Sequence, residues 1–334
     1  MLRFPDDRVC GRDRKGSNAM STILVTGASG FVGSYSLPAL LDAGHRVVAL
    51  VRTPQAGRLV LDRLPEADRP NVELRTGDVT RPGTLADTLV GVDGVLHLVA
   101  IANDRRGGEE LRLVNTEGTR AVVAAMQAAG VKRLVHMGAM GVMDDPALHY
   151  ASSKARGEAL VAASGLDWTT LKPSLQFGPG DGFFNIIADL VRMSPGVVPV
   201  PGDGQSRFQP ISVSDVAAVV VRTFADDSTI GAALELGGPR YWTYREITRE
   251  VLTAMGKKRA IVPMPVALIR LVAGTSEKIG LPFPVSTDQL RQLKLDNIGP
   301  LDIIRARFGF QPRPMEGALG YLRAKLRDQT VRSL

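Results

Sequence analysis

From residue 22 onward the chain alternates short apolar runs with stretches in which apolar residues recur at helical spacing. TILVTG (22–27) predicts a buried strand, and GFVGSYSLPALLDAG (30–44) predicts a helix that Gly44 ends. HRVVALVR (45–52), NVELRTGDV (71–79), GVLHLVAIA (94–102) and RLVHMGAM (133–140) predict four more strands. The clearest helix among them is EELRLVNTEGTRAVVAAMQAAG (109–130). Strands this continuously apolar are covered on both faces. Their alternation with helices predicts an α/β fold, a Rossmann-type doubly wound parallel sheet. Pro38 falls inside the first helix, where it costs a hydrogen bond and is expected to bend it.

Beyond residue 178 the pattern changes. GPGDGFFNIIADLVRM (178–193) predicts glycine turns and a helix, and residues 197–224 predict a strand leading to a helix that rejoins the main sheet. AALELGGPRYWTYREITREVLTAMG (232–256) predicts a strand and a further helix. The expected division is a dinucleotide-binding domain over 20–178 and 209–230, with a smaller, discontinuous α/β substrate-side subdomain over 179–208 and 231–330. Phe177, Phe183, Phe184, Phe208 and Trp242 are candidates to line an apolar pocket, although each taken singly is ordinary core. Residues 263–284 predict a short apolar helix flanked by prolines. It is too short to span a bilayer, and docking on a membrane, burial or contact with a partner all stay open.

Composition narrows the class. The chain has 334 residues, 44% of them hydrophobic and 22% charged, as in an ordinary soluble globular protein. Its single cysteine, Cys10, excludes an intramolecular disulfide, and no Cys/His cluster has metal-ligand spacing. His45, His97, His136 and His149 are scattered and read as structural. The net charge of +7 and pI near 9.7 are spread along the chain without a basic run, so no nucleic-acid partner is expected. No transmembrane segment and no secretory signal are apparent, and a cytoplasmic location is expected, with peripheral membrane contact left open. Residues 1–19 are polar and aperiodic, and are expected to be a disordered extension or tag ahead of a natural start at Met20.

The strongest motif is VTGASGFVG, in which Gly27, Gly30 and Gly33 stand between a strand and a helix. Gly27 suits the tight turn, Gly30 a close backbone approach to a pyrophosphate, and Gly33 close packing of helix on strand. With Ser29, Phe31 and Val32, they form the candidate cofactor loop. Nineteen residues after Gly33 stands Arg52, where a ribose-binding acid would be expected in an NAD site. A guanidinium there suits a 2′-phosphate, so NADP(H) is favoured over NAD(H). Asp78, after the third strand, is placed to reach the adenine.

HYASSK (149–154) sets Tyr150 and Lys154 one helical turn apart, on one face. A nearby ammonium is expected to favour the phenolate, and the lysine to hold a ribose. LVHMGAMG (134–141), which should supply a hydroxyl to complete such a site, contains none. Water, a backbone amide or Ser174 are the candidate substitutes, so catalysis and mere cofactor binding both stay open.

These motifs, with TGDV, VLHLVA, AAGVKRLVHM, GLDWTTLKPSLQFGPGDGFFN and RFQPISVSDVA, together resemble an atypical short-chain dehydrogenase/reductase. The likeness runs from Met20 to about Asn297, and is narrower toward the NADPH-binding accessory subunit of respiratory complex I and its bacterial relatives. The resemblance implies that Arg52 meets the 2′-phosphate and that Asp78 and Val79 form the adenine-side turn. It also implies that Val99 and Ala100 line the cofactor, that Pro173 and Ser174 meet the nicotinamide, and that Tyr150 and Lys154 are the catalytic pair. Gly138 stands where relatives often carry serine. Three functions compete: an oxidoreductase acting on an apolar carbonyl or quinone-like small molecule, a non-catalytic NADPH-binding module of a respiratory or quinone-related assembly, and, ranked last, a nucleotide-sugar epimerase.

Overall fold

A computed structural model describes residues 20–104, 106–265, 267 and 296–324. Its strands, in chain order, are β1 (Thr22–Thr26), β2 (Arg46–Val51), β3 (Val72–Thr76), β4 (Gly94–His97), β5 (Arg133–Met137), β6 (Asp167–Pro173), β7 (Gln176–Phe177), β8 (Val197–Pro201), β9 (Arg207–Phe208), β10 (Ile211–Ser212), β11 (Ala232–Leu236), β12 (Trp242–Thr243) and β13 (Ala260–Met264). Seven of them make one sheet in the order β11-β6-β5-β4-β1-β2-β3, with every neighbouring pair parallel. The order reverses between β1 and β4, and ligands of such sheets bind in the crevice beyond the strand ends at that point.

Alternation of side chains along each strand divides the core between the two faces. Ile23, Val25, Val47, Ala49, Val135 and Leu171 pack on one face against α1 (Phe31–Asp42) and α7 (Val213–Ala225). Leu24, Val48, Val95 and Leu134 pack on the other against α4 (Gly118–Ala129) and Val161 of α5 (His149–Ala162). Pro38 does not interrupt α1, which runs on to Asp42. Ahead of α4, the expected long helix begins as α3 (Glu109–Leu111) and passes through a π-helical stretch, Arg112–Glu117.

Three expectations differ from the structure. Strand β11, placed by sequence in the substrate-side subdomain, is an edge strand of the main sheet, paired with β6 from Ala232↔Thr169 to Leu236↔Pro173. Its burial on the sheet outweighs its position after the second lobe begins. Likewise α9 (Ile303–Phe308) buries Ile304 and Phe308 in the main core. The fourth and fifth strands end early, at His97 and Met137, so that residues 98–102 and 138–140 leave the ladder as loops.

A third core holds α6 (Phe183–Met193) and α8 (Tyr244–Ala254) together. Phe177, Phe184, Phe208 and Trp242 are buried in it, and Phe183 packs edge-on to Phe184 and Tyr244. The aromatic residues are therefore lobe core and not a pocket wall. Together α2 (Pro54–Asp62), capped by the Thr53 hydroxyl, and the other helices complete the fold. The segment 1–19, nearly all of 263–284 and most of 286–297 lie outside the described residues.

Candidate functional site

The glycine loop has three different needs. Gly27 adopts φ +71°, and a Cβ there would lie 3.1 Å from the Val99 nitrogen. At Gly33 a Cβ would lie 2.5 Å from the carbonyl oxygens of both Gly27 and Ala28, so α1 packs onto the loop only without a side chain. Gly30 has an extended backbone that any residue can adopt, donates its N–H to Gly27 O (3.0 Å), and would bring a Cβ near that oxygen alone. Its value is close approach from outside. No side chain caps α1, so its first-turn N–H groups stand at the loop, an arrangement that favours an anion. Phe31 packs edge-on to Tyr35, and Val32 packs on the core. The Ser29 carbonyl accepts from Arg63 Nη1 (2.8 Å), bringing a guanidinium against the loop that no motif spacing pointed out. These features fit a dinucleotide pyrophosphate.

At the ends of β2 and β3 lies a cavity of about 410 Å3, lined by Arg52, Thr53, Thr76, Gly77, Asp78, Arg81 and Thr84. Arg52 and Asp78 both line it, as does Arg81, which the sequence reading did not name. Asp78 Oδ1 is turned onto Thr80, accepting from its N–H (2.9 Å) and hydroxyl (2.8 Å). Val79 is buried against Gly118, where a Cβ would lie 2.9 Å from Val79 Cγ2. Val99 packs on the core and, with Ala100, continues the chain from β4. The next residue, Ile101, exchanges two 2.9 Å hydrogen bonds with the buried Asn115 amide, which also donates to Ser153 on α5 (3.0 Å). Asn115 was missed by sequence reasoning.

Tyr150 and Lys154 lie on the buried side of α5, where Lys154 is 4% exposed and Tyr150 is half-buried. Lys154 Nζ donates to the carbonyl of Met137, the last residue of β5 (2.6 Å). Burial lowers the ammonium to about 8, against the pull of Glu158. Burial also raises the Tyr150 phenol to about 12, and the Glu158 carboxylate adds to this. The expected lysine-favoured phenolate is therefore not what the site stabilises. Burial and the Glu158 carboxylate both favour the neutral phenol.

Beneath Lys154 a polar row crosses four strands, formed by the register pairs Thr26↔His97, His97↔His136 and His136↔Thr170. His97 lies between the Thr26 and Thr119 hydroxyls (2.7 and 3.1 Å) and stacks on His136, with ring centroids 5.3 Å apart. Burial drives His97 to about 3 and His136 well below its usual range, so both rings are neutral. No group of three or more metal-ligating side chains occurs among the described residues.

Gly138 is not a gap left by a lost hydroxyl. A Cβ there would lie 2.5 Å from Glu158 Oε1 and 2.9 Å from Thr170 Cγ2. The backbone amides nearby are also committed. Gly138 N–H donates to Leu171 O (2.8 Å), Ala139 N–H to Glu158 Oε1 (3.1 Å) and Met140 N–H to Pro173 O (3.1 Å). Ser174 Oγ donates to the Asn297 side-chain oxygen and accepts from Gln209 N–H (3.1 Å). Asn297 Nδ2 in turn donates to Met140 O (2.6 Å), which ties residue 297 to the ends of β5 and β6. The substitutes proposed from sequence, a local amide or Ser174, are thus already engaged.

Comparison with known proteins agrees with this geometry. The model of the family described as NAD(P)H-binding matches residues 27–227. A ceramide reductase from Caulobacter vibrioides is 30% identical over 251 residues, covering 75% of each chain. The mitochondrial NADH dehydrogenase (ubiquinone) 1 alpha subcomplex subunit 9 of Arabidopsis thaliana is 24% identical over 296 residues, covering 86% of this chain and 72% of that one. Among solved structures, the NAD-bound dTDP-glucose 4,6-dehydratase DesIV from Streptomyces venezuelae superposes with a TM-score of 0.68 at 21% identity. That match covers 90% of this chain and 96% of that one, and it shows the shared fold. With its glycine loop, parallel sheet and family match in agreement, this chain belongs to the NAD(P)H-binding family and is an atypical short-chain dehydrogenase/reductase-like protein.

Proposed function

We propose that this protein is an NADP(H)-dependent reductase of an apolar carbonyl or quinone-like small molecule. The observation that carries the reading is the half-buried Tyr150 one helical turn from the buried Lys154, whose Nζ donates to the carbonyl of Met137 at the end of β5. When bound, NADPH would supply the hydride. Tyr150 then gives its proton to the oxygen of the reduced carbonyl, and Lys154 holds the ribose and replenishes the phenol. Losing a separate oxyanion donor costs about 10²–10³ in rate, so a slow enzyme is expected. Arg52, with Arg81 in the same cavity, supports a 2′-phosphate and hence NADP(H). The reductase relative, named for ceramide, supports an apolar substrate.

The engaged amides at 138–140 favour a second reading, a cofactor-binding module associated with a respiratory or quinone-related assembly, peripheral to a membrane. The Arabidopsis subunit supports it, and no helix among the described residues is long and apolar enough to cross a membrane. Fluorescence titration with NADPH and NADH, followed by an oxidation screen of bound NADPH against carbonyls and quinones, separates the two. Tight NADPH binding without oxidation by any compound would move the weight to the module.

A further inference from the structure

Tyr150, Lys154 and Glu158 follow each other at four-residue spacing along α5 and share one face. Glu158 is the member that the reading above leaves unused. Its Oε1 fills the space a side chain on residue 138 would take and accepts the Ala139 N–H (3.1 Å). Its Oε2 lies 3.4 Å from Lys172 Nζ on β6, with the two side chains only 15% and 18% exposed. We propose that Glu158 is a positioning residue for the Tyr150–Lys154 pair: from the space left by Gly138, its carboxylate fixes the loop after β5 and stands one helical turn from Lys154 as the counter-charge of its ammonium.

The groups around Lys154 make this role specific. From α5 come Tyr150 and Glu158, from β4 His97, from β5 His136, and from β6 Lys172 through its pairing with Glu158. The two imidazoles and the phenol are neutral and Lys172 is a cation, so Glu158 is the anion among these described groups. Burial works against the Lys154 ammonium, and the carboxylate opposes it. Removing that charge should release the lysine proton at lower pH. Removing Lys172, which offsets Glu158, should have the reverse effect. A packing role would not give the two variants opposite signs.

The test uses the full chain with lysine labelled by carbon-13 at Cε, titrated by NMR, with the Lys154 signal assigned through its loss in Lys154→Arg. The parent midpoint is expected near 8. Glu158→Gln should lower it by about one pH unit, and Lys172→Met should raise it. An unmoved midpoint in Glu158→Gln, or shifts of the same sign in both variants, overturns the proposal. If Glu158→Gln does not fold, Lys172→Met decides alone, and a midpoint that fails to rise overturns it. The inference uses the placement of Lys154 at the cofactor ribose only for a second arm, in which NADPH affinity at neutral pH falls severalfold in Glu158→Gln. A moved midpoint with unchanged NADPH affinity would keep the role of Glu158 and discard the ribose placement.

Discussion

Glu158 and Gly138 contend for one space: a Cβ on residue 138 would lie 2.5 Å from Glu158 Oε1 and 3.0 Å from its Cδ. A serine at 138 therefore cannot restore a hydroxyl to the site without displacing the carboxylate. Gly138→Ser is expected to cost about 1–3 kcal/mol of stability, the usual range for overpacking, and to leave any turnover no faster. Glu158→Ala in the same chain should recover part of the loss. Chemical denaturation of the single and double variants reads this directly, and parent-like stability of Gly138→Ser would show that Glu158 swings aside freely.

Arg52 is expected to decide between the two nucleotides. It shares its cavity with Arg81, and the one charged carboxylate there, on Asp78, is tied to Thr80. Arg52→Asp should weaken NADPH binding by roughly 10–100-fold, the worth of a hydrogen bond to a charged group, while NADH binding stays level or improves. Calorimetry with both nucleotides checks it. Equal affinities of the parent for NADPH and NADH would end the NADP(H) assignment.

The glycines should separate by phenotype. Gly33→Ala places a methyl 2.5 Å from two carbonyl oxygens and should destabilise the fold. Gly30→Val has only the Gly27 oxygen near its Cβ, at 3.1 Å, and should fold while losing both nucleotides. Thermal melts paired with nucleotide titration give the two readouts. Undiminished nucleotide binding by Gly30→Val would mean that the loop is simply a turn.

If turnover is found, Tyr150→Phe should cut it by about 10²–10⁴, the contribution of a positioned proton donor, which is the role we propose for the phenol. Lys154→Ala should weaken cofactor binding more than Tyr150→Phe does. With the phenol held up to about 12 and the lysine down to about 8, reduction should persist across neutral pH and change as Lys154 loses its proton above about 8. A pH–rate profile that is flat through that region would detach Lys154 from the reaction.

Asp181 offers a check on stability alone. It is 2% exposed, accepts from Phe184 N–H (2.7 Å) and from the Tyr321 hydroxyl (2.5 Å), and burial raises it from 3.8 to about 6. The folded protein then keeps a proton that the unfolded chain releases between these two values. Stability should fall as pH rises through that window, by up to roughly 3 kcal/mol from this group. Asp181→Asn should flatten the dependence, measured by denaturant midpoints between pH 4 and 7. An unchanged slope would show that Asp181 does not titrate there.

The strands were legible because a parallel sheet buried on both faces demands unbroken apolar runs, as in TILVTG and RLVHM. The glycine loop was legible because Gly27 and Gly33 answer local needs, the turn at φ +71° and the close packing of α1. Where strands stop was not, since His97 and Met137 end their ladders at the site while the sequence beyond them stays apolar. The true meaning of Gly138 was hidden for a related reason: the group that excludes a side chain there is twenty residues on, in Glu158. Of the four-residue stripe along α5, Tyr150 and Lys154 were read from the sequence, while Glu158, which matches no motif, was not. Strand β11 was misassigned because lobe membership depends on a pairing with β6 across more than sixty residues.

The tie from Asn297 to Met140 and Ser174 also orders events during synthesis. A growing chain has its glycine loop and the Tyr150–Lys154 helix turn long before residue 297 leaves the ribosome. Up to that moment the ends of β5 and β6 are held by the Gly138–Leu171 and Met140–Pro173 bonds, and Met140 and Ser174 gain their shared tie to Asn297 only as the last tenth or so of the chain emerges.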